Sequence, residues 1–173
     1  MNLTAATKPK LVFSWGNPSR GDDALGPAMY ELLLNENLDD VDLLTDFQLQ
    51  IEHAIDLEER DRILFVDASV AASAPFELVR LQPEQDASYT THAMSPQALL
   101  AVYRQINNRA PPPAWLLSVR GYEFGLGLPL SAAAESNLQA AFRHIMQLLA
   151  PSGTTAWTEQ PGRRDSPAAP ASR

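Results

Sequence analysis

Short apolar runs alternate along the chain with longer stretches whose apolar residues recur every three to four positions. The first run, residues 10–15 (KLVFSW), stops at Gly16-Asn17-Pro18 and reads as a strand ending in a turn. After it, Ala24, Leu25, Ala28, Met29, Leu32 and Leu33 fall on one face of a helix. Pro27 fits only in a first helical turn, so that helix begins between Asp22 and Gly26. Residues 41–45 read as a second strand and 50–59 as a helix. Residues 62–66 (RILFV) form the clearest buried strand, stopping at Asp67, and 76–81 alternate like an edge strand. Ser95-Pro96 is a cap and first-turn pair for a helix with Leu99, Val102, Tyr103 and Ile106 inward. Pro111-Pro112-Pro113 breaks the chain before a strand at 114–119. A last helix over 131–149 carries Leu138, Ala141, Phe142, Ile145, Leu148 and Leu149 inward.

Apolar strands alternating with amphipathic helices predict an α/β fold with a mostly parallel sheet covered on both faces. With 173 residues this is one domain, over 10–150. Residues 1–9 form a flexible lead. Residues 151–173 are rich in Pro, Ser and Gly and bury too little to offset ordering entropy, so they form a disordered tail in which Trp157 alone could dock.

Thirteen Lys and Arg against 21 Asp and Glu give a net charge of −8, which argues against a nucleic-acid partner. Cysteine is absent, excluding disulfides, a thiol nucleophile, iron–sulfur clusters and thiolate zinc sites. No apolar run approaches the roughly 18 residues of a membrane span, and the N-terminal residues do not read as a signal peptide. The expected setting is the cytoplasm, away from membranes.

In parallel sheets, sites gather at the carboxyl ends of strands. Three such ends carry chemistry: Gly16 to Asp23 after the first strand, Asp67-Ala68-Ser69 after the central one, and Thr90 to Pro96 with His92 before a helix. Glycines at 16, 21 and 26 have the wrong spacing for a dinucleotide loop, and two aspartates would repel a phosphate. Asp22 and Asp23 can cap a helix, or one can cap while the other enters the cleft. Asp67 is either hydrogen-bonded to backbone or acts as a ligand or base, since an unpaired buried carboxylate is costly. His92 is either a solvent-exposed loop residue or a ligand, and His53 and His144 read as surface or boundary residues. Neither a Gly-x-Ser-x-Gly elbow nor a His-Glu-x-x-His helix is present. Arg120-Gly121-Tyr122-Glu123 is read as a rim loop that positions a partner.

Gly16-Asn17, Asp22-Asp23, Gly26, Asp67 and His92, in that order, resemble the hydrogenase maturation proteases over residues 10–150. The resemblance implies a three-layer α/β/α sandwich. It also implies an endopeptidase that trims the C-terminus of the large-subunit precursor of nickel–iron hydrogenases. Asp23, Asp67 and His92 would then be the catalytic and metal-ligating residues, meeting a nickel ion supplied by the substrate. Many members carry glutamate where this chain has Asp23. Members often carry Asp-Gly-Gly-Thr after the second strand, where this chain has Thr45-Asp46-Phe47-Gln48-Leu49-Gln50. That departure points to a distinct subgroup, such as one serving NAD-reducing soluble hydrogenases. Nickel would either polarise the scissile peptide or only dock the precursor while Asp22 or Asp23 acts as base. A monomer gripping the precursor through loops 83–94 and 120–128 is expected. A non-enzymatic nickel chaperone and a small-molecule α/β hydrolase are the alternatives.

Overall fold

Five strands make one sheet in the order β2-β1-β3-β5-β4, in a computed structural model that describes residues 7–85, 94–151 and 157. The strands are β1 (Lys10–Trp15), β2 (Val41–Asp46), β3 (Arg62–Ser69), β4 (Phe76–Arg80) and β5 (Ala114–Arg120). β1, β2, β3 and β5 run parallel, and β4 pairs antiparallel with β5 at one edge. Three α-helices flank them: α1 (Leu25–Leu34), α2 (Pro96–Asn107) and α3 (Ala132–Leu149).

Side chains alternate between the faces of a strand, and here both faces are apolar. Val12, Leu64, Val66 and Leu117 pack against Met29 and Leu33 of α1 and Leu138, Ala141 and Ile145 of α3. Leu11, Phe13, Ile63 and Phe65 pack on the other side against Leu99 and Tyr103 of α2 and against Ala54 and Leu57. The result is the expected α/β/α layering with a mostly parallel sheet. Ser95 and Ser131 cap α2 and α3, accepting from the N–H of Ala98 and Ala134 at 3.1 and 3.2 Å. Among the described residues, no helix is long and apolar enough to cross a membrane.

Several elements differ from the sequence reading. The segment expected as a helix over 50–59 is a 3-10 helix, Ile51–Leu57. The Gln50 and His53 side chains close its first turn, and Glu59 leaves it at φ 58°. β3 does not stop at Asp67, because β5 continues beside it and pairs Asp67 with Ser118 and Ser69 with Arg120. Ile106, expected inward, is 65% exposed. Trp157 does dock. Its Nε1–H donates to the Leu148 carbonyl at 2.8 Å and its ring meets Trp115 edge-on at 4.9 Å.

Candidate functional site

From β1 the chain crosses to β2 on one side and then passes back over β1 to β3 on the other. The carboxyl ends of β1 and β3 therefore flank the point where strand order reverses, which leaves a crevice in sheets of this type.

A tight loop returns over the end of β1. Gly16 lies at φ 146°, where a Cβ would run into the Asp23 carbonyl oxygen, and a Cβ on Gly26 would meet the Trp15 carbonyl. Both glycines let the 3-10 turn Gly21–Ala24 fold back onto the strand. Asp23 is thereby held over the strand end, its Oδ2 accepting from the Asn17 N–H at 2.9 Å.

Asp67 comes from the neighbouring strand, on the face that also carries Ile63 and Phe65. Its Oδ1 accepts from the Ala68 N–H at 2.8 Å, and the nearby Trp15 side chain also favours the charged form. Burial pushes the Asp67 carboxyl up to about 7, and the negative charge of Asp23 pushes the same way. The Ala68 N–H and the nearby Trp15 side chain oppose this without overcoming it. Asp23 and Asp67 are thus brought together as expected, at the rim of the sheet. His92, the third expected member, lies outside the described residues. Among the described residues no group of three potential ligands forms a metal site.

Asp22 has a different position. Neither it nor Asp23 caps α1 with its side chain, which corrects the capping expectation. Asp22 is fully buried and accepts four hydrogen bonds: from the N–H groups of Tyr122 (2.7 Å), Glu123 (2.9 Å) and Ser131 (2.7 Å), and from the Ser131 hydroxyl (2.8 Å). Burial alone would raise its pKa, but these donors together outweigh it and hold the carboxyl below the usual range. A carboxylate so enclosed cannot receive a proton from a reacting water, so the reading of Asp22 as a base fails. It is a clamp. Gly21 N–H to the Leu128 carbonyl at 3.0 Å and Gly127 N–H to the Ser19 carbonyl at 2.7 Å fasten the same loop. The 120–123 segment is consequently tied down beside Asp23.

Sequence reasoning missed Trp15, although period-2 alternation from Phe13 already put it on the Asp67 side. His53 is a boundary residue as expected, with Nε2 3.3 Å from Asp46 Oδ2, Nδ1 accepting from the Gln50 N–H at 2.9 Å, and its ring edge-on to Phe13 at 4.7 Å. His144 is a boundary residue as expected, stacked on Phe76 at 5.0 Å, with burial lowering its pKa.

No family model and no curated protein matches the chain. Solved structures do. The hydrogenase maturating endopeptidase HybD from E. coli superposes with a TM-score of 0.66 at 24% identity, covering 83% of this chain and 93% of that one. A hydrogenase 2 maturation peptidase from a Thaumarchaeota archaeon gives 0.59 at 26% identity, covering 82% and 98%. The [NiFe] hydrogenase maturation protease HycI from Thermococcus kodakarensis KOD1 gives 0.63 at 20%, covering 84% and 94%. The fold of this chain is the fold of those proteases, along nearly their whole length.

Proposed function

We propose that the chain is an endopeptidase of the hydrogenase-maturation type, removing the C-terminal extension of a nickel-loaded nickel–iron hydrogenase large-subunit precursor. The observation that carries this reading is the meeting of Asp23 and Asp67 at the switch point between β1 and β3, on the fold those proteases share. Two carboxylates held close together, one resisting ionisation, form a site that a divalent cation relieves. In this reading the cation is nickel that arrives with the precursor, and His92 supplies the third donor.

Each residue then has a distinct role. Asp67, its carboxyl raised to about 7, would offer one oxygen donor to the precursor's nickel, whose charge would favour loss of the proton. Asp23, oriented by the Asn17 N–H, would offer a second. Trp15 favours the charged form of Asp67. In hydrolysis, water adds to the scissile carbonyl, its proton passes to a rim carboxylate, and the C–N bond breaks as the leaving amine takes a proton. The Thr45 to Gln50 segment supports a distinct subgroup, with a soluble NAD-reducing hydrogenase in the cytoplasm as the candidate substrate and a monomer as the working form.

Mass spectrometry of such a precursor, incubated with this protein with and without nickel, tests the reading. The expected result is loss of the C-terminal peptide only from nickel-loaded precursor, and no loss with Asp67→Asn or His92→Ala. An unchanged precursor mass alongside tight nickel binding would instead make the protein a chaperone.

A further inference from the structure

At the opposite end of the sheet from the carboxylate pair, a groove of about 310 Å³ runs between the end of β4, the middle of α2 and the Pro111–Pro113 run. Arg80 and Arg104 line it, and none of its lining residues is acidic. That is unusual for a chain of net charge −8. Arg80 stacks over the Trp115 ring at 5.4 Å, which holds its guanidinium in place. Neither arginine forms an ion pair or a hydrogen bond with any described group, whereas Lys10 pairs with Asp40 and Arg60 with Asp42 at the same end of the sheet. Leu81, Leu100 and the three prolines give the groove apolar walls. Beside it β4 is an edge strand, paired on one side only among the described residues.

We infer that this groove docks an extended acidic peptide segment of a partner protein, with its carboxylates on Arg80 and Arg104. Charge complementarity selects the occupant. Two guanidiniums without acceptors among the described residues offer forked donors that match carboxylates. The apolar walls suit the intervening side chains, and the open edge of β4 suits a main chain in extended form. A small inorganic anion would satisfy the arginines alone and leave the walls and the strand edge unused. The groove lies at the far end of the sheet from Asp23 and Asp67, so it is a second contact and does not depend on the reaction proposed above.

Fluorescence anisotropy with the full chain and a fluorescein-labelled Leu-Glu-Leu-Asp-Glu-Leu peptide tests the inference. Wild type should bind the peptide, with affinity falling as salt rises. Arg80→Glu/Arg104→Glu should weaken binding about thirtyfold, each reversed contact removing an attraction and adding a repulsion. Because Arg80 also stacks on Trp115, the Arg104→Glu single variant serves as the folded control, with about a fivefold loss expected. No binding by wild type overturns the inference, as does binding by Arg104→Glu and the double variant within twofold of wild type. Equal binding of a peptide with lysines in place of the acids overturns it too. Displacement by an equimolar amount of inorganic phosphate would also do so, reducing the groove to a simple anion site.

Discussion

Asp22 receives four hydrogen bonds from the segment that follows β5, whereas Asp67, at the end of the neighbouring strand, receives one, from the Ala68 N–H, and feels the charge of a second carboxylate. Both are aspartates at the rim of one sheet, and both are taken out of bulk water. Their acidities move in opposite directions, down for Asp22 and up to about 7 for Asp67. The difference is in donor supply. Where the backbone surrounds a carboxylate with N–H groups, the charge is stabilised and becomes structural. Where it leaves a deficit beside a second negative charge, the protonated form is favoured.

The largest test of this contrast is Asp67→Asn. On the proposed reading, processing of precursor should fall by about a thousandfold or more, since the variant loses an anionic, titrating group at the rim. The folded protein should meanwhile unfold at a temperature no lower than wild type at pH 8. A variant that keeps processing activity would remove Asp67 from the site.

Asp22→Asn probes the other region. An amide can accept at only one oxygen, so N–H groups of the 122–131 segment lose acceptors, and the NH2 meets donors instead. A loss of about 3 kcal/mol in denaturant unfolding is expected. Activity should drop only as far as the loop beside Asp23 shifts. A stability change below about 0.5 kcal/mol would show that the clamp is not what holds that loop.

Gly16→Ala acts between the two regions. The new methyl group would meet the Asp23 carbonyl at a φ that disfavours side chains. A destabilisation of about 2 kcal/mol is expected, together with weaker metal-dependent processing because Asp23 is displaced. Urea midpoints and precursor turnover, measured on the same preparation, read both effects.

The smallest effect is the pH dependence of the metal-free protein. The Asp67 pKa is raised from 3.8 to about 7 in the folded state, so the folded protein binds this proton more tightly. Its contribution to stability is fully present below pH 3.8 and is lost as pH rises through about 7. Asp22 has the opposite sign: its lowered pKa stabilises the fold above the ordinary value of 3.8, and that contribution is lost as pH falls through the folded value. The stability of Asp67→Asn relative to wild type should therefore grow between pH 4 and pH 7, by on the order of 1 kcal/mol once solvent screening is allowed for. Thermal melts across that range check it; a constant difference would mean that Asp67 titrates normally.

Much of the architecture was readable before any coordinates. Period-2 and period-3.6 patterns located β1, β3, α1 and α3 to within a few residues, because burying apolar stripes on both faces of a sheet leaves little freedom in where those stripes fall. The pattern failed where local periodicity does not carry the information. Ile106 matched the inward stripe of α2, but it is exposed on the folded chain. Asp67 looked like a strand terminus, but the length of β3 was set by its neighbour β5. Residues 50–59 had helical spacing, but a His53 cap and a short span favoured a 3-10 turn.

The chemistry divided in the same way. Residue type and position after a strand were enough to single out Asp23 and Asp67, because the carboxyl ends of parallel strands share one rim whatever the details of packing. Which of two adjacent aspartates would be a buried clamp and which would face the crevice was decided by contacts with residues about a hundred positions away, at Tyr122, Glu123 and Ser131. Acidity depends on the donors and charges within a few ångströms of a carboxylate, and only the folded chain determines which ones those are.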